Sequence, residues 1–165
     1  MSRLGPLAAI RKLLSLPRQE QLWTAEAWLR LAVWVIKIRL LPGARITRTF
    51  ATGQQESPEH RTERLSPDQR IQVERLQRCI SRASRYHLLG PNCMPQALTA
   101  RAMLTGRGLP ATLVLGVRKK PSEPTLAQDG ELAAHAWVLS GELTVTGAEG
   151  SGRFQPLGVF PSAPG

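Results

Sequence analysis

Apolar side chains along this chain recur first at helical spacing and later at strand spacing. Between residues 20 and 41 they crowd together: Leu22, Trp23, Ala25, Ala27, Trp28, Leu29, Leu31, Val33, Trp34, Val35, Ile36, Ile38, Leu40 and Leu41. Glu26, Arg30 and Lys37 fall on one stripe, so the segment predicts an amphipathic helix with a wide apolar face, buried against the domain or a partner. A bilayer span takes roughly 20 predominantly apolar residues. Here the longest uncharged run is only Leu31 to Ile36, so no membrane span is expected. Pro42-Gly43 ends the helix. Ser66-Pro67-Asp68-Gln69 then has the form of a helix start, with Ser66 as N-cap, Pro67 at the first helical position and Gln69 completing a capping box. Val73, Leu76, Ile80 and Ala83 give that helix a buried stripe, and it ends near Leu88-Leu89-Gly90-Pro91. A third helix opens at Cys93, with Asn92 as N-cap and Pro95 in its first turn, and stops at Gly106 and Gly108.

Beyond Gly108 the pattern is that of strands. Ala111 to Arg118 places Leu113, Leu115 and Val117 on one face, and Leu132 to Leu139 is an apolar run of strand length. Ser140-Gly141 is a tight turn into a partner strand, Leu143 to Thr146, and Phe154 to Phe160 adds a short last strand. Lys119 to Gly130, with its prolines and polar residues, reads as a loop at the mouth of a site. Helices first, then a meander of antiparallel strands, imply an α+β fold. The expected organisation is an N-terminal amphipathic helical extension over residues 1–49, a polar linker over 50–65 and the main domain over 66–165.

Composition changes this picture in one respect. Lys and Arg number 22 against 12 Asp and Glu, a net charge of +10. That balance raises nucleic acid as a partner, yet the chain has one Tyr, three Phe and four Trp, and no nucleic-acid-binding motif. Nucleic acid is therefore not expected. Arg61, Arg64, Arg70, Arg75, Arg78, Arg82 and Arg85 cluster in one stretch, which suits either a docking face for an acidic partner or an ordinary solvated surface.

The chemistry-bearing pair is Cys93 and His135. A thiol becomes a useful nucleophile when a helix N-terminus or a nearby imidazole stabilises its thiolate or takes its proton, and Cys93 at a helix start with His135 on a following strand offers both. The plainer alternatives are a small buried Cys and a hydrogen-bonded core His. Cys79 sits mid-helix, where nothing activates it, and reads as structural. With no signal-peptide pattern, two cysteines suggest free thiols in a reducing, cytoplasmic setting, although a Cys79–Cys93 disulfide is the alternative. His60, His87 and His135 show no metal-ligand spacing with the cysteines, so no metal or other cofactor is expected.

Asn92-Cys93-Met94-Pro95-Gln96-Ala97, Leu104 to Pro110, Leu115-Gly116-Val117-Arg118-Lys119 and Ala134-His135-Ala136-Trp137-Val138 together resemble the lasso-peptide leader peptidases. These are the transglutaminase-like B proteins of lasso-peptide gene clusters, and the resemblance extends to the N-terminal helix with Trp28-Leu29. It implies a papain- or transglutaminase-like core, in which the helix carrying the nucleophile packs on a small antiparallel sheet. It also implies a cysteine protease that removes the leader from a ribosomally made lasso precursor. A separate leader-recognition protein and an asparagine-synthetase-like macrolactam cyclase are the implied partners. On this resemblance Cys93 is the nucleophile, His135 the general base, the Cys93 N–H part of an oxyanion hole, and Asn92 a residue that caps or orients the turn. Trp137 either shields the pair from water or is plain core.

The family often places an Asp on the strand after the His. Here Leu143 to Glu149 contains none, and Thr146 or Gly147 stands in its place. Glu149 could orient His135 from a loop, Thr146 or a backbone carbonyl could do so, or the pair could act without a third group. Two further readings stay open: a thioester acyl transferase of the same fold, and a non-catalytic basic adaptor that binds a precursor peptide or acidic partner.

Overall fold

A computed structural model describes residues 14–40, 64–90, 92–119 and 132–162. The expected linker, apart from its last two residues, and the loop after Lys119 lie outside the described residues. Three helices cover one face of an antiparallel sheet, the α+β arrangement expected. They are α1 (Arg18–Leu40), α2 (Pro67–Arg85) and α3 (Cys93–Thr105).

The start of α2 is as read from sequence. Ser66 accepts from the Gln69 N–H, and the Gln69 side chain accepts from the Ser66 N–H. Val73, Leu76, Ile80 and Ala83 are buried, joined by Cys79. The helix stops sooner than expected, at Arg85, because His87 turns inward. Its Nδ1 accepts from the Leu89 N–H at 3.2 Å. Its Nε2 therefore carries the proton and donates to Trp28 O at 3.1 Å. His87 is a satisfied structural histidine.

Helix α1 shares one core with the rest. Ala27 and Leu31, both fully buried, pack with Val73, Leu76 and Ile80 of α2 and with Ala97, Leu98 and Met103 of α3. Leu22, Leu29 and Leu40 face outward, 69%, 61% and 77% exposed, so apolar side chains occupy the outer side of the helix as well. Polar ties fix its register: Glu20 lies 3.9 Å from Arg75 and 3.7 Å from Arg82. Arg107 donates to Glu26 at 2.6 Å while its guanidinium sits 4.7 Å from the Trp23 ring centre. Several of the arginines thus hold α1 in place and are not free for a partner. No helix among the described residues is long and apolar enough to cross a membrane.

The sheet contains β1 (Thr112–Lys119), β2 (Leu132–Ser140), β3 (Leu143–Thr146) and β4 (Gln155–Pro161) in the order β3-β2-β1-β4. The last strand does not extend the meander. It returns to pair with β1, so the main chain of β1 is hydrogen-bonded on both edges, by β2 and by β4. The edge of β3 is met instead by α2, where Gln77 donates to Thr144 O at 3.0 Å and Arg70 to Glu142 at 3.0 Å, a side-chain cover for an otherwise open edge. Leu113, Ala136, Val138 and Val145 face the helices, whereas Val114, Trp137 and Val159 pack on the opposite face with Leu139 and Phe154.

Candidate active site

Cys93 is the first residue of α3 and its side chain is half-buried. Asn92 has extended backbone (φ −82°, ψ −169°), as an N-cap should, but its side chain makes no capping hydrogen bond. That differs from the sequence expectation. Pro95 carries no N–H, so the donors left at the helix start belong to Cys93 and Met94, with no side chain spent on them. A helix N-terminus left in this state favours negative charge. Cys79 is the contrast. It is fully buried, its thiol donates to Glu20 O at 3.7 Å, and burial pushes that thiol above its ordinary range. Both cysteines are free.

His135 lies on β2 opposite Gly116 of β1. Its Nε2 is 2.9 Å from the Gly147 carbonyl oxygen. A carbonyl can only accept, so Nε2 carries a proton, and in the neutral ring Nδ1 is the nitrogen that holds the lone pair. The ring is held between two aromatics, with centroids 5.8 Å from Trp137 and 4.9 Å from Phe154, both stacked. Trp137 does share a face with His135, and it is buried there beside Val114 and Val159. Two glycines make room. A Cβ at Gly116 would come within 2.8 Å of the Trp137 ring. At Gly147 (φ +74°) a Cβ would lie 2.7 Å from Trp137 Cβ, 2.8 Å from Ala136 O and 3.1 Å from His135 Nε2. Gly147 has no space for a side chain, and its main chain bonds the imidazole instead.

The direction of α3 brings its start to the same end of the sheet. Its C-terminal half is tied to the beginning of β1, since Arg101 donates to Pro161 O and Pro161 pairs with Thr112. The N-terminus therefore points toward the first half of β2 and the end of β3. Cys93 packs with the helix-side core, which includes Ala136, while the His135 ring lies on the other face of β2. The β2–β3 ladder ends at Val138 and Thr146, and beyond it the Gly147 turn lies against Ala136, Trp137 and the His135 ring. Thiol and imidazole therefore stand on opposite faces of β2, and the Cys93 thiol makes no hydrogen bond within the described residues.

Thr146 is buried with its hydroxyl unpartnered, and Glu149 is exposed on the turn after β3. Neither takes the His135 Nε2 contact, which goes to Gly147. Phe154, read from sequence only as the start of a strand, proves to be a wall of the site. No residue-type signal marks a stacking partner that arrives from a distant strand.

A family model described as the transglutaminase-like superfamily matches residues 28–159. The chain belongs to that superfamily. No curated protein and no solved structure matches it. The transglutaminase-like match begins within α1 and runs into β4, so it takes in Cys93, His135 and Gly147. Members of the superfamily are typically cysteine peptidases or acyltransferases.

Proposed function

We propose that this protein is a cysteine peptidase that removes the leader from a lasso-peptide precursor, before a partner cyclase closes the macrolactam ring. The observation that carries the reading is the His135 Nε2–Gly147 contact, because it leaves Nδ1 as the base on a strand at the same end of the sheet as the Cys93 helix start. His135 stands on the face of β2 opposite the Cys93 helix, so the reaction requires the bound peptide to bring thiol and imidazole together, and catalytic hydrogen bonds commonly tighten only in the substrate complex. His135 Nδ1 takes the thiol proton as Sγ attacks the scissile carbonyl carbon. The resulting oxyanion lies at the N–H groups that open α3. Collapse breaks the C–N bond, His135 returns its proton to the departing amine, and a thioester remains on Cys93. Water, deprotonated by the same imidazole, adds to the thioester carbonyl, and the leader carboxylate and free thiol are released.

Incubation with a lasso precursor and its leader-recognition protein, followed by mass spectrometry, tests this directly. The expected products are free leader and free core, with none from Cys93→Ala. Cleavage by Cys93→Ala equal to the parent would overturn the reading. Leader recovered as an amine conjugate rather than a carboxylate would assign acyl transfer, the other chemistry of the superfamily.

A further inference from the structure

Arg118 lies near the end of β1 on the sheet face that carries His135, since its pairing partner Ala133 is two positions along β2 from His135. Its guanidinium carbon sits 5.2 Å from the centre of the Phe154 ring, and that same ring stacks on His135 at 4.9 Å. Phe154 therefore contacts both the cation and the imidazole. Arg118 Nε is buried without an acceptor. The terminal nitrogens donate to no carboxylate of any described residue, unlike those of Arg70, Arg82 and Arg107, which are each paired with a glutamate.

We propose that Arg118 forms a carboxylate-binding subsite that takes an acidic side chain of the peptide bound at the site. A guanidinium stacked on an aromatic ring is pre-organised, so it loses little side-chain freedom on gripping a carboxylate with its two terminal N–H groups. The subsite lies to one side of His135 along the strand direction. Arg118 belongs to β1, on the side of β2 away from β3, so it is a peptide bound over the His135 face of the sheet that would present one acidic side chain there, displaced from the bond that is cut. This assignment rests on the peptidase reading above and adds a preference to it.

The test uses acetylated tetrapeptide chloromethyl ketones, in which one Glu is walked through an Ala peptide, each paired with its Gln counterpart. Labelling of Cys93 is followed by mass spectrometry. At one position the Glu probe is expected to label about fivefold faster than its Gln partner, the scale of a partly exposed ion pair. Arg118→Gln should abolish that preference, with a parental far-UV spectrum and melting temperature reporting an intact fold. Arg153→Gln, removing a nearby exposed cation, should keep the preference. Equal Glu and Gln rates at every position, or a preference that survives Arg118→Gln, would refute the subsite and leave the peptidase standing. Failure of every probe to label Cys93 faster than a free thiol would remove the peptidase and the subsite with it.

Discussion

The Gly147 carbonyl oxygen accepts a hydrogen bond from His135 Nε2 at 2.9 Å, and this contact decides which imidazole nitrogen can serve as a base. A carboxylate in that place would also supply negative charge to an imidazolium. A peptide carbonyl orients the ring and fixes the tautomer but supplies only a dipole. The site is thus built to hold the imidazole in one orientation.

Gly147→Ala should disturb both the turn and the ring. A positive φ costs an L-residue about 1–2 kcal/mol, and the new Cβ would meet Trp137, Ala136 O and His135 Nε2. Urea unfolding should show that loss, and leader cleavage should fall more than tenfold. A variant with parental stability and rate would mean that the carbonyl does not set the imidazole.

Thr146 and Glu149 are expected to be dispensable. Glu149→Gln should change cleavage by less than about twofold, as for an exposed charge. Thr146→Val removes a buried hydroxyl that has no partner, so stability should stay level or rise by about 1 kcal/mol. A large rate loss in either variant would transfer the orienting role to that side chain.

The two cysteines should separate cleanly. Cys79→Ala opens a small gap in the core and should cost about 1 kcal/mol in unfolding measurements without slowing turnover. Cys93→Ala should keep stability and lose turnover. The reverse pattern would exchange their roles.

The docking of α1 should depend on pH through Glu26. Burial disfavours its ionised form, but hydrogen bonds from Arg107 and Arg30 outweigh this and hold its carboxyl below the ordinary range. The folded chain therefore keeps Glu26 ionised more readily than the unfolded chain. The resulting stabilisation is present above the ordinary carboxylate range and is lost as pH falls through the lowered folded value. Thermal unfolding between neutral and acidic pH should show this loss, and Glu26→Gln should flatten it. An equal pH response in both proteins would show that the Glu26–Arg107 tie does not hold the helix.

Local signals in the chain were readable, and long-range ones were not. Ser66 and Gln69 announce a helix start because both partners of the capping box lie in the same turn. That Cys93 opens a helix and His135 lies on a strand was legible in the same way, but which faces of β2 the two side chains meet was not. The return of β4 to β1 depends on contacts between residues far apart in sequence, for which apolar alternation gives no address. Arg107 could not be assigned to Glu26, since a salt bridge across two helices leaves no periodic trace. The third group of the site was the hardest to name. Every residue has a carbonyl, and only the left-handed turn at Gly147 aims this one at the imidazole.

The most direct measurement compares iodoacetamide alkylation of Cys93 in the parent and in His135→Ala at one mildly acidic pH, with each cysteine resolved by peptide mass spectrometry. If the imidazole turned by Gly147 activates the thiol, Cys93 should react about tenfold or more faster than free cysteine, and His135→Ala should erase that advantage. Equal Cys93 rates in the two proteins would contradict the pairing of Cys93 with His135.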